Sequence, residues 1–208
     1  MLRCVVRISC FFALVLPASL LQAQNEFSAD GVGTRGSGTP IVMKLYFGKD
    51  KVRFDPVEKS SGDQAAGIVN FKTQTVTVLM KQRQMYMELP AQMTEQRLIY
   101  NFFRAGDPEN ACADWQKILH NQGGTCQKVG HDPVNGRDAV KYQGTNSKGE
   151  SGYFWIDSRL RFPVKWQEKG NTGGELRNIQ EGAQPASLFE IPAGYTKMEI
   201  GPMMQQLQ

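Results

Sequence analysis

The sequence is poor in the residues that most often build catalytic and metal sites. It holds two histidines, His120 and His131, and four cysteines in 208 residues. Neither histidine has an H-x-x-x-H partner, which excludes the common zinc spacings. There is no Cys-x-x-Cys pair, so redox catalysis of the thioredoxin kind lacks its motif. No G-x-S-x-G elbow is present: Gly149-Glu150-Ser151-Gly152 falls one residue short and sits in a turn between strands. Charge of one sign is also lacking. The formal charge is +4, too small to argue for a nucleic-acid partner. Asp55, Glu58 and Asp63 lack the spacing of a calcium loop. These absences predict a protein that is not an enzyme, with no metal, no cofactor and no nucleic-acid ligand.

Long apolar runs are confined to the start. Arg3 and Arg7 precede an apolar stretch over residues 8–21, followed by Leu21-Gln22-Ala23. This is the pattern of a secretory signal peptide. The stretch is interrupted by Pro17 and short of the roughly 20 apolar residues a span needs. Residues 1–23 are therefore predicted to be removed after Ala23, which leaves a periplasmic or secreted chain with no stable membrane span. Loss of Arg3 and Arg7 lowers the formal charge to about +2. Cys4 and Cys10 leave with the signal. Cys112 and Cys126 remain, and an even count in an exported chain predicts one disulfide.

What is present is a strand rhythm. Residues 24–40 are rich in Gly, Ser and Thr and read as a flexible entry segment, a strand or a loop. Within them Gly31-Val32-Gly33-Thr34-Arg35-Gly36 matches G-x-G-x-x-G. The phosphate-binding form opens a helix, whereas this one runs into Pro40 and an alternating stretch. Period-two alternation begins at Ile41, with Met43, Leu45 and Phe47 pointing one way and Lys44 and Tyr46 the other. Gly48-Lys49-Asp50 turns the chain into a second strand over 51–55. Further strands are predicted at 67–71, 74–80 and 83–88, and, after a break, at 137–142, 152–157, 162–168 and 175–180. Short strands at close spacing argue an antiparallel meander.

The break reads as two helices. Residues 94–104 place Leu98, Ile99, Phe102 and Phe103 on one side. Asp107-Pro108 then reads as an N-cap followed by proline at the first helical position, with Cys112, Trp115 and Ile118 at helical spacing and Gly123-Gly124 as the stop. Strands, helices, strands predict an α+β, mainly β domain over 41–198: a curved antiparallel sheet with short helices packed on its concave face. Residues 199–208 read as a tail.

Methionine is the most informative side chain. Met adapts to varied apolar partners. Met43, Met80 and Met85, with Leu45, Phe47, Val76, Val78, Leu98, Phe102 and Trp115, either fill a core or line a soft cavity.

Three stretches resemble a known family: the strand-turn-strand of 41–55; Tyr153-Phe154-Trp155-Ile156-Asp157 followed by Phe162-Pro163-Val164-Lys165; and Ser187-Leu188-Phe189-Glu190-Ile191-Pro192-Ala193-Gly194-Tyr195. Together they look like the LolA/LolB-like superfamily of outer-membrane lipoprotein carriers, in its poorly characterised exported branch. The similarity spans nearly all of residues 27–198. The resemblance implies an unclosed β-barrel whose mouth is plugged by short helices and whose apolar interior holds a lipid or the acyl chains of a protein. It also implies a lid-latching arginine, for which Arg53 is the candidate. On the same fold, a packed interior would instead serve an envelope protein partner. For the closing string, Pro192 and Gly194 read as turn chemistry, with Leu188 and Phe189 plugging one end of the sheet and Tyr195 packing back on the body.

Overall fold

A computed structural model describes residues 26–34, 40–57, 65–90, 104–118 and 124–199. Twelve strands form one continuous sheet. They are β1 (Phe27–Thr34), β2 (Ile41–Phe47), β3 (Lys51–Pro56), β4 (Ala65–Asn70), β5 (Thr75–Met80), β6 (Met85–Pro90), β7 (Gly124–His131), β8 (Ala139–Asn146), β9 (Ser151–Asp157), β10 (Pro163–Gln167), β11 (Gly173–Glu181) and β12 (Thr196–Lys197). Their order across the sheet is β12-β6-β5-β4-β3-β2-β1-β11-β10-β9-β8-β7. The order is open, so the sheet does not close on itself. Every pairing is antiparallel except the last: β12 joins β6 in parallel, which makes the sheet mixed where the sequence predicts an antiparallel one.

The sheet is two meanders joined by one strand. Of the two readings of the entry segment, strand or loop, residues 27–34 take the first: they form β1 at the centre of the sheet, paired with β2 on one side and β11 on the other. Phe27 and Ala29 are fully buried, and apolar burial of this kind fixes a strand whatever its glycine content. The glycine motif has a packing role. A Cβ on Gly31 would stand 2.9 Å from Leu45 Cδ1, so the glycine leaves room for a neighbouring strand's side chain. The same device recurs across the sheet, where the rings of Phe54, Trp115 and Trp166 lie over Gly67, Gly144 and Gly174.

Register sorts the side chains. Phe27, Phe47, Val52, Val69 and Val76 stand in one row across five strands, and Ala29, Leu45, Phe54, Gly67 and Val78 in the next. Alternate residues, including Lys44, Arg53 and Ile68, point to the opposite face, since successive strand side chains do so. Phe27 and Phe47 stack with centroids 4.1 Å apart, and Phe162 meets both edge-on at 5.6 and 4.6 Å. Such pairs add about 1 kcal/mol each beyond burial. This trio ties the two meanders into one core.

One α-helix lies among the described residues: α1, Ala111–Ile118, entered through a 3-10 turn at Pro108–Asn110. The Asp107 side chain accepts from Glu109 N, the predicted cap. Tyr142 Oη donates to Pro108 O at 2.6 Å and accepts from Ala111 N, which fastens the helix start to β8. Trp115 packs on Phe154 at 5.3 Å. The predicted disulfide is present between Cys112 on α1 and Cys126 on β7, with Cα atoms 5.5 Å apart. The helix predicted at 94–104 falls almost entirely on residues 91–103, outside the described residues. Within them the expected pair of covering helices reduces to α1, at the β7–β9 end of the sheet.

Candidate functional site: an apolar sheet face

The site is built by β2 to β6. Of the sequence candidates, Met43, Leu45, Phe47, Val76, Val78, Met80 and Met85 all fall on one face by register. The face adds Phe54, Met87 and Leu89, which stand opposite Leu45, Val78 and Val76. Neither Met87 nor Leu89 was among the sequence candidates; the signal that could have found them is the period-two alternation along MYMEL. Trp115 sits apart, on α1 with Tyr142 and Phe154. Leu98 and Phe102 lie outside the described residues.

Burial across this face is graded. Leu45, Phe47 and Val76 are sealed, and Met80 is 8% exposed. Met43, Phe54, Val78, Met85, Met87 and Leu89 are only half-buried. The sealed part belongs to the core, and the half-buried part forms a methionine-rich surface along its edge. Thioether chains adjust to different apolar shapes without a fixed geometry.

The opposite face carries polar anchors. Arg53 Nε donates to Asp55 at 2.9 Å, and Arg53 Nη1 donates to Leu188 O at 2.9 Å. Lys51 Nζ donates to Phe189 O at 3.2 Å. Lys81 pairs with Asp55 at 2.8 Å. Burial pushes the Asp55 carboxyl up, but Arg53 and Lys81 outweigh it and hold the group below its ordinary value. Arg53 thus stands across the sheet from the cavity candidates and holds the closing string. That string is a strap: Phe189 packs over Gly48, and Ile191 and Tyr195 cover Ala66, Ile68 and Leu79. Thr196 N and Met198 N then donate to Gln84 O and Tyr86 O, which zips β12 onto β6.

A polar cleft was not foreseen. It lies between the β8–β9 and β10–β11 hairpins, with a volume of about 530 Å³, and Tyr153, Gln167, Lys148 and Lys169 are among its lining residues. The sequence signal was there in Tyr153 and Trp155, two aromatics at strand period. His131 is exposed, between Glu109 and Asp138 at 3.2 Å each, and His120 lies outside the described residues. Among the described residues no cluster of His, Cys, Asp or Glu has a metal-binding arrangement, and no helix is long and apolar enough to cross a membrane.

No family model and no curated protein matches the sequence. Solved structures are similar to it. An uncharacterized conserved protein from Thermus thermophilus aligns with a TM-score of 0.54 at 10% identity, over 84% of this chain and 90% of that one. MucB, in the MucA/MucB complex of Pseudomonas aeruginosa, aligns with a TM-score of 0.49 at 16% identity over 84% of this chain; the match spans 59% of the MucB chain. The LolA superfamily protein NE2245 from Nitrosomonas europaea aligns with a TM-score of 0.37 at 10% identity, over 80% and 90% of the two chains. At 10% identity the likeness to the Thermus protein is one of fold.

Proposed function

We propose that the mature chain is a non-enzymatic binding or carrier protein of the bacterial envelope, holding the acyl chain of a lipid or lipoprotein against the face formed by β2 to β6. One observation carries the reading. Seven side chains chosen from the sequence as cavity candidates share a single sheet face, and Met43, Val78 and Met85 are left half-buried beside Phe54, Met87 and Leu89. Each methylene removed from water contributes about 0.8 kcal/mol. A ten-carbon chain therefore gains about 8 kcal/mol gross, before the costs of association. The predicted signal peptide supports an envelope location, and the scarcity of nucleophile and metal motifs supports binding over catalysis.

The test is direct. Protein recovered from its native compartment is extracted with organic solvent and analysed for lipid, and purified protein is titrated with a fluorescent fatty acid. Bound lipid and a saturable response are expected. Repeated absence of both rejects the reading. A second reading then stands, an envelope protein-interaction module with a packed interior. It is favoured by the full burial of Leu45, Phe47 and Val76.

A further inference from the structure

One face of β8, β9 and β10 carries an ordered grid. Lys141, Trp155 and Lys165 stand side by side across the three strands; Gln143, Tyr153 and Gln167 form the next row, and Thr145 and Ser151 the third. Rows lie about 6.7 Å apart and strands about 4.8 Å apart. Trp155 at the base of the grid packs in the same buried cluster as Leu45, Phe47 and Leu176.

The first row is a floor. Trp155 is 3% exposed, with the ammonium groups of Lys141 and Lys165 at 4.8 and 4.7 Å from its ring. Its Nε1 donates to Asp132 at 2.9 Å. Tyr153, by contrast, shows 36% of its surface to solvent, in a sheet whose other large apolar side chains are mostly covered. Lys141 Nζ, 4.8 Å from the ring, helps hold it in place. Beyond Tyr153 opens the cleft of about 530 Å³, bounded by Ser151 and Gln167 and by the hairpin tips carrying Lys148, Glu150, Glu168 and Lys169.

We propose that this cleft binds a saccharide, with one pyranose ring lying on Tyr153. Three features of the grid match sugar chemistry. The negative face of an aromatic ring attracts the C–H face of a pyranose. Gln167 beside the ring offers a planar amide that both donates and accepts, as paired hydroxyls require. Gln143 on the other side accepts from Gln127 through its oxygen. Third, the charged lining balances, Lys148 and Lys169 against Glu150 and Glu168, which suits an uncharged ring better than an anion. The volume falls within the range of small-molecule sites. The wall is hydrogen-bonded within itself: Asn146 Oδ1 accepts from Lys148 N and Glu150 N, and Thr145 Oγ1 lies 2.9 Å from Ser151 Oγ. The cleft is lined from residues 148–153 and 167–169, none of them on β2 to β6.

The experiment is a calorimetric titration of the mature protein with chitotetraose, an uncharged N-acetylated tetramer, and separately with tetragalacturonate, an anionic tetramer. Saturable chitotetraose binding is expected, weakened at least tenfold by Tyr153→Ala and severalfold by Gln167→Ala, with Tyr153→Phe retaining it. Thermal melts of each variant confirm folding, and the fatty-acid response stays unchanged in all of them. The proposal is overturned if neither tetramer binds at millimolar concentration. Chitotetraose binding that survives both Tyr153→Ala and Gln167→Ala also overturns it. So does binding of tetragalacturonate alone, lost on Lys148→Ala, since that marks a charge site without stacking.

Discussion

Arg137 clamps the buried carboxylate of Asp157 from two directions, Nε to Oδ2 at 2.5 Å and Nη2 to Oδ1 at 3.2 Å. Asp157 is 1% exposed and also accepts from the backbone N–H groups of Arg159 and Leu160. Arg137 reaches on to Glu181 at 2.8 Å. One guanidinium therefore ties the end of β9 to the end of β11, with the β7–β8 turn as its base. Removing one partner of such a pair leaves a charge without compensation. Asp157→Ala is expected to cost about 3 kcal/mol, read as a lower denaturant midpoint; a loss under about 1 kcal/mol would make the clamp ornamental.

The acidic limb of stability follows from Asp55. Its folded-state value lies below 3.8 because Arg53 and Lys81 outweigh burial. A depressed carboxylate contributes stability that is present above the unfolded value and lost as pH falls through the folded one. The urea midpoint is expected to fall as pH drops below about 4. Asp55→Asn is expected to flatten part of that slope and to loosen the strap at Leu188. Asp30, Asp132 and Asp138 shift the same way through their own hydrogen bonds, so one substitution leaves a residual slope.

Reducing the Cys112–Cys126 bridge opens a loop of about 15 residues, worth about 3 kcal/mol in the chain-entropy model. Thermal melts with and without dithiothreitol are expected to differ by several degrees. Hydrogen exchange should show the loss concentrated on α1 and β7, the two elements the bridge joins.

The apolar face admits a substitution aimed at binding rather than folding. Met87 is half-buried on β6, near the edge of the sheet. Met87→Lys is expected to reduce fluorescent fatty-acid affinity at least tenfold while moving the thermal midpoint by only a few degrees. Equal affinity in the variant would place the ligand elsewhere.

Gly67 tests the aromatic cover. A methyl group there meets the ring of Phe54. Gly67→Ala is expected to destabilise by about 2 kcal/mol through overpacking, and Phe54→Leu in the same chain to recover part of the loss, as a double-mutant cycle measures.

Much of the sheet was legible because its strands have one covered face. Predicted strands at 41–47, 51–55, 74–80 and 152–157 agree with the observed bounds to within one residue. The capped helix start at Asp107-Pro108 and the disulfide were equally plain, since both rest on local chemistry. Three strands, β1, β7 and β12, were given no bounds from the sequence, and the first two escaped for opposite reasons. In β1 the apolar signal is Phe27, Ala29 and Val32 among glycines, and its burial comes from partners distant in sequence. In β7 the side chains are largely exposed because it is an edge, so GTCQKVGH shows no alternation. For the site, the sequence named the methionines but not their shared face. Arg53 reads as a lone basic residue on a strand; its attachment to Leu188 crosses more than a hundred residues and leaves no local trace.

The central position of β1 sets a timetable for assembly. Its first neighbour, β2, leaves the ribosome almost immediately, whereas β11 arrives only when the chain is nearly complete. A polypeptide made from its amino end must keep one side of that ribbon unmatched until its last quarter follows. Any shortened product that lacks β11 would carry a bare seam through its middle, open to the first stray strand that fits.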